Sequence, residues 1–149
     1  MQSGKKGALP RHIGRTKGGL NSKLHAVVDV GGKPIIMALT AGRVSDHVGA
    51  GILYPALPGA RVLIGDKGYD SEAFRKALRA KRIEPCIPPR SNRKAKIGYS
   101  KTPYKQRHKV ENAFAELKDW RRIATRHDRC ADIFFAAITI AAIVIFWLD

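Results

Sequence analysis

Cysteine is almost missing from this chain. Two of its 149 residues are cysteines, Cys86 and Cys130, far apart and with no Cys-x-x-Cys and no histidine pair at ligand spacing. That excludes a disulfide framework and a zinc site, and it makes a reducing cytoplasm the simpler setting. Acids are scarce as well: 12 Asp and Glu face 28 Lys and Arg, a formal net charge of +16. An excess of that size has to meet polyanions in a cell, and nucleic acid is the default partner. Long apolar runs are few. The basic N-terminus lacks the apolar core of a secretory signal. The one long run, Ile133 to Leu148, would reach about 24 Å as a helix against the roughly 30 Å of a bilayer core. It is expected to be a buried C-terminal helix and no membrane span, with Trp147 and Leu148 in the core.

The bases are bunched. Lys5, Lys6, Arg11, Arg15, Lys17 and Lys23 precede the first acid, Asp29, and Arg90 through Lys109 holds eight Lys or Arg and no acid. Two such runs make a surface for phosphates, and Arg15, Lys17, Arg90, Arg93 and Lys94 are expected to touch nucleic acid. A ribosomal or nucleoid protein carries the same bias, so charge implies binding and leaves catalysis open.

Patterning gives an alternating α/β order in a single domain. Residues 1–21 form a basic, Gly-rich N-terminal arm, with Met1 to Gly19 aperiodic as in a loop; residues 22–149 form the folded part. From Ser22 to Val30 the apolar Leu24, Ala26, Val28 and Val30 alternate with Lys23, His25 and Asp29, as in a strand with one face buried. Gly31-Gly32 suits a hairpin returning through Ile35 to Thr40. Ser45 or Asp46 caps a helix to about Leu57, and Val62-Leu63-Ile64 reads as a strand buried on both faces. Asp66 then lies at the carboxyl end of a central strand, where open α/β sheets place their ligand chemistry. Ser71 caps a helix to about Lys81, Pro85-Cys86-Ile87 is a short edge strand, and Thr102-Pro103 opens a helix running to about Arg122.

On that last helix Tyr104, Arg107, Glu111 and Lys118 fall within an arc of about 60° at about 100° per residue, beside a core stripe of Val110, Phe114 and Leu117. An acid flanked by Arg and Lys, on the same side as a phenol, suits a metal ion and a phosphodiester. The same spacing also describes an ordinary solvated face with i,i+4 charge pairs.

Here the chain resembles the DDE transposases encoded by bacterial insertion sequences. Tyr104-x2-Arg107-x3-Glu111-x6-Lys118 reproduces their Y-R-E-K spacing, and Asp66-Lys67-Gly68-Tyr69-Asp70 looks like their second-aspartate motif. The likeness runs from about Gly14 to Leu148, through Gly14-Arg15-Thr16-Lys17-Gly18-Gly19, Lys23-Leu24-His25 and Lys118-Asp119-Trp120-Arg121-Arg122. It implies a ribonuclease-H-like α/β core, a mixed sheet with flanking helices. Such a core cuts DNA at transposon ends and joins the free 3′ hydroxyl to a target. It also implies three carboxylates holding two divalent ions, normally Mg²⁺, because two metals about 4 Å apart stabilise both the attacking and the leaving oxygen of in-line phosphoryl transfer. By the same match Asp66 and Glu111 are the second and third carboxylates, catalytic and metal-binding, while Tyr104, Arg107 and Lys118 position the DNA end. The implied setting is the bacterial cytoplasm, at the nucleoid.

The first carboxylate of the family lies on a strand before the hairpin. Ahead of Asp66 this chain has only Asp29 and Asp46, and neither matches that motif; Asp46 is the better candidate for a supporting role. The family's sheet order, 3-2-1-4-5, thus lacks its central strand, which exposes two unpaired edges and predicts poor folding of the chain alone. Two function classes follow. One is the C-terminal part of a DDE transposase, truncated and active when joined to upstream sequence, with an upstream transposase segment or a homo-oligomer as its expected protein partner. The other is a non-catalytic basic DNA-binding remnant or regulator of transposition.

Overall fold

Backbone pairing begins inside the span expected to be an arm. The computed structural model describes residues 14–16, 19–120, 123 and 131–148. In it Gly14–Thr16 (β1) runs antiparallel to the start of β2 (Gly19–Val28), with Gly14 opposite Asn21 and Thr16 opposite Gly19. The strand is Gly-Arg-Thr, three residues with no apolar alternation to announce it. Residues 1–13, Lys17 and Cys130 lie outside the described residues, as does the expected helix end near Arg122; of Arg15 the backbone alone is described.

The hairpin to β3 (Pro34–Ala41) forms at Gly31-Gly32 as expected. Gly32 has φ of 83°, which suits a residue without a Cβ. Asp29 Oδ1 accepts from the Gly31 and Lys33 amides, each at 2.9 Å, and so belongs to the turn. Val30, expected to prolong the buried face, sits in that turn and is 89% exposed. A second departure concerns burial: both faces of β2 are covered. Leu24 and Met37 pack on the cluster of Leu117, Ala141 and Ala142, while on the other face His25 is buried near helix α1 (Asp46–Leu53). A Cβ on Gly49 would fall 2.3 Å from the His25 ring, so α1 approaches this closely because residue 49 has no side chain.

The α1 segment stops short of the expected Leu57 and continues as a single 3-10 turn, Tyr54–Ala56. Pro55 has no N–H to extend the α pattern. Next, β4 (Val62–Ile64) pairs in parallel with β5 (Glu84–Cys86), and α2 (Glu72–Ala80) connects them. Ser71 Oγ caps α2 by accepting from the Phe74 amide at 3.2 Å. Leu78, Ile83 and Ile87 form the core of this unit. Tyr54 ties α1 to α2, its hydroxyl donating to the Ala77 carbonyl at 2.9 Å.

The architecture is mixed α/β, but its strands form two sheets, β1-β2-β3 and β4-β5, in place of the single mixed sheet expected. Among the described residues β1 covers only Gly19–Asn21 of one β2 edge, nothing pairs with that edge from Lys23 to Val28, and β4 has β5 as its one partner. With one neighbour, β4 is not the fully buried strand its apolar run predicts, and Val62 is 40% exposed.

The C-terminal part is helical. The first turn α3 (Lys101–Tyr104) has Ser100 as its N-cap, two residues before the expected Thr102, which leaves Pro103 at a first-turn position that needs no intrahelical N–H. A 3-10 turn, Lys105–Arg107, leads into α4 (His108–Lys118), whose buried residues are Ala113 and Leu117 with Val110 and Phe114 half-buried beside them. Helix α5 (Ala131–Phe146) buries Phe134, Ile138, Ala141 and Ala142. It is not buried all round: Ile140, Trp147 and Leu148 are exposed, because α4 and the β2–β3 hairpin cover one side only. The Trp147 indole donates to the Pro34 carbonyl at 3.2 Å instead of entering the core. No helix among the described residues is long and apolar enough to cross a membrane.

Candidate active site

Asp66 follows β4 by two residues, after the buried Gly65, whose amide donates to the Cys86 carbonyl at 3.2 Å and prolongs the β4–β5 pairing. The chain then turns sharply through Lys67–Tyr69, with Asp66 as its cap and Oδ1 accepting from the Gly68 amide at 2.7 Å. Asp46, at the first position of α1, faces the same turn. A Cβ on Gly68 would lie 2.4 Å from Asp46 Oδ2 and 2.8 Å from Asp66 Oδ1, so the two carboxylates flank one glycine. Lys23 offsets part of their repulsion, donating to Asp46 Oδ1 at 3.1 Å and to the Val44 carbonyl at 2.9 Å.

Behind the carboxylates runs a line of polar side chains. Tyr69 Oη lies 3.3 Å from His25 Nδ1, and His25 Nε2 lies 2.8 Å from Thr40 Oγ1. Burial lowers the His25 pKa, with Asp46 pulling the other way and Lys23 adding to the drop; the ring bridges two hydroxyls. Burial, reinforced by the charges of Asp46 and Asp66, pushes the Tyr69 phenol up to about 12. Period-two alternation placed His25 on the open face of a one-sided strand. The signal that corrects it, a glycine on a facing helix, cannot be read along a single segment.

Across from Asp66 stand Tyr99, Tyr104 and Arg107, lining with Asp46, Asp66 and Arg90 an open cleft of about 890 Å³. The Tyr99 and Tyr104 rings meet edge to face at 5.2 Å. The Arg107 guanidinium sits 5.8 Å from the Tyr104 centroid, because the intervening 3-10 turn places residues i and i+3 above one another. Partial burial raises the Tyr104 pKa against the opposing effect of Arg107. Glu111 does not line this cleft; it pairs with Arg107 at 2.8 Å, both ends well exposed to solvent. Lys118 is exposed at the end of α4, roughly 10 Å further along the helix at 1.5 Å per residue. The structure therefore brings Asp66, Tyr104 and Arg107 together, while Glu111 and Lys118 continue the same helix beyond the cleft.

The basic segment after β5 closes one side. Arg90 is exposed at the cleft, its guanidinium donating to the carbonyls of Lys67 at 3.2 Å and Gly68 at 3.0 Å. Lys94 is exposed. Arg93 turns inward to Asp70, a buried carboxylate that periodicity and spacing did not single out. Cys86 is a buried thiol donating to the Ser100 carbonyl at 3.2 Å, its pKa raised by burial.

The donor set tests a divalent ion directly. Asp46 and Asp66 are hard oxygen donors of the kind Mg²⁺ takes. Yet Oδ1 of each is already engaged, and Glu111 faces Arg107. No three His, Cys, Asp or Glu side chains among the described residues group closely enough to hold an ion. The described residues by themselves do not complete a two-metal centre.

A basic mixed α/β chain that sets carboxylates at a strand end, across a cleft from arginines and tyrosines, has the make-up of a protein that handles nucleic acid. The family is more specific: residues 4–147 match the transposase DDE domain, and the chain belongs to that family. A protein named as a candidate transposase for insertion sequence element IS402 of Burkholderia cepacia is 35% identical over 156 residues, covering 92% of this chain and 72% of that protein. One named likewise for insertion sequence element IS6501 of Brucella ovis is 33% identical over 131 residues, covering 87% of this chain and 99% of that protein. Both matches support a role in DNA transposition.

Proposed function

We propose that this chain carries the catalytic carboxylates of a ribonuclease-H-like DDE transposase that cleaves transposon DNA and transfers its strand to a target. The observation that carries this reading is Asp66 at the carboxyl end of β4, in a cleft that also holds Arg90, Tyr104 and Arg107. In-line phosphoryl transfer needs a carboxylate-bound cation near the reacting phosphate and cationic side chains on the flanking ones. We assign Asp66 and Glu111 to Mg²⁺, two divalent ions in the complete site. Tyr104, Arg107, Lys118, Arg90, Lys94, Arg15 and Lys17 are assigned to DNA.

The Arg107–Glu111 pair fits this assignment. Exposed ion pairs of this type contribute at most about 1 kcal/mol, so a DNA phosphate that draws Arg107 away frees the Glu111 carboxylate at little cost. The β2 edge from Lys23 to Val28 and the β4 edge away from β5, neither paired among the described residues, are where a further strand, with the remaining carboxylate, completes the sheet; an upstream transposase segment or a second copy of the chain is the proposed source. The place of action is the bacterial nucleoid.

The test supplies the chain, joined to such a segment, with Mg²⁺ and labelled transposon-end duplex. Nicking that Asp66→Ala and Glu111→Gln abolish is the expected result. Binding without nicking by the wild type overturns the enzymatic reading. It would favour a DNA-binding regulator of transposition, a reading supported by the lack of a third carboxylate grouped with Asp46 and Asp66 among the described residues.

A further inference from the structure

We infer that Asp70 and Arg93 form a clamp that positions the basic segment beside Asp66, and that this divides the labour within the segment: Arg93 is an internal strut and Arg90 is the residue that meets a phosphate. The second half rests on the DNA-binding reading above; the first does not.

Asp70 is buried, and both its oxygens are used twice. Oδ1 accepts from Arg75 Nε at 2.9 Å and Arg93 Nη2 at 2.6 Å; Oδ2 accepts from the Arg90 amide at 2.7 Å and Arg93 Nε at 3.0 Å. Arg93 thus grips the carboxylate as a two-pronged fork, the geometry that a planar guanidinium supplies and an ammonium cannot. Its remaining nitrogen, Nη1, donates to Glu72 Oε2 at 3.0 Å, so all three guanidinium nitrogens face protein carboxylates. Arg75, buried beneath, carries the tie onward to the Ile87 carbonyl at 2.6 Å. Arg90 differs. Its Nε and Nη2 lean on the carbonyls of the turn that follows Asp66, and its Nη1 has no partner among the described residues. A guanidinium steadied on two carbonyls, on a residue that lines the cleft with Asp66, is set to take a phosphate oxygen there.

The experiment uses the full chain carrying Arg93→Gln, Arg93→Lys or Arg90→Gln, with trypsin and a short duplex DNA of arbitrary sequence as probes. A phosphate contact contributes about 0.9 to the slope of log K against log salt. For Arg93→Gln the expected result is much faster trypsin cleavage around Lys94 and Lys96, weaker DNA binding and an unchanged slope. Arg93→Lys gives the same cleavage as Arg93→Gln, because lysine restores charge without the fork. Arg90→Gln lowers the slope by about 0.9 and leaves cleavage at Lys94 and Lys96 at the wild-type rate. An Arg93→Gln chain with wild-type cleavage and a slope lowered by about 0.9 overturns the clamp and makes Arg93 a phosphate contact. Rescue of cleavage resistance by Arg93→Lys overturns the fork. Wild-type protein that fails to bind duplex DNA overturns the DNA reading and the role of Arg90, while the cleavage rates still decide the clamp.

Discussion

Two charged regions of this protein use the same residue types to opposite ends. Around Asp70 two arginines and a carboxylate are locked together, with Asp70 and Arg75 both 1% exposed as side chains. At the start of α4, Arg107 and Glu111 meet at a similar distance, yet 35% and 55% of their side chains remain open to solvent. Burial removes water as a competitor, so the first group cannot exchange partners without leaving a bare charge inside the protein. The second trades protein for water or ligand at little cost. The first therefore suits holding a geometry, and the second suits engaging a substrate.

Removing one member of each group gives the sharpest contrast. Asp70→Ala leaves Arg75 buried without its counter-charge and is expected to destabilise the fold by about 3–5 kcal/mol, read as a shift in urea midpoint. A loss below about 1 kcal/mol would erase the distinction between the regions.

Acid titrates the same group more gently. The guanidinium of Arg93, together with the Arg90 amide and Arg75, holds the Asp70 pKa well below the usual carboxylate range, against the opposing effect of burial. Its contribution is complete above the unfolded value of about 3.9 and is lost as pH falls from about 5 through that value toward the folded one. The stability gap between wild type and Asp70→Asn should therefore be constant from about pH 7 to 5 and shrink below it. A gap that stays level down to pH 3 would mean that Asp70 is not ionised in its arginine setting.

Between the two regions lies Gly68, with a carboxylate on either side. Gly68→Ala is expected to cost about 1–3 kcal/mol as overpacking, with loss of strand cleavage in the assembled enzyme; full activity in that variant would show that Asp46 and Asp66 need not share a face. The smallest effect on stability belongs to Glu111→Gln, within about 1 kcal/mol of wild type by thermal unfolding. A larger loss would place Glu111 with the structural charges and against its assignment as a freed ligand.

Much of the local architecture could be read along the chain. The Gly31-Gly32 hairpin, the Ser71 cap, the three-residue β4 and Asp66 just beyond it all come from signals a few residues long. Asp66 was legible because a strand followed by a turn of fixed composition places its next polar residue at the sheet's end. The departures are of two kinds. The burial of His25 and the exposure of Trp147 depend on what another segment does, whereas the early end of α1 before Pro55, the Ser100 cap and the turn that removes Val30 from the strand are local. Asp70 stands in the motif that resembles the family's second aspartate, but its structural role is not legible there, because its fork partner lies 23 residues away.

By itself, the sequence determined the strongly basic character of this protein, the order and type of most elements, and the placement of Asp66 at a strand end with Tyr104, Arg107, Glu111 and Lys118 along one helical stretch. Those properties follow from composition, capping and periodicity, which act over a few residues. Tertiary structure alone decided that Asp46 stands beside Asp66, that Glu111 faces Arg107 outside the cleft, and that Arg93 serves Asp70. The reason is physical: whether a charge is buried, paired or free is set by desolvation and by partners from distant segments, and neither is encoded in the spacing of the residues themselves.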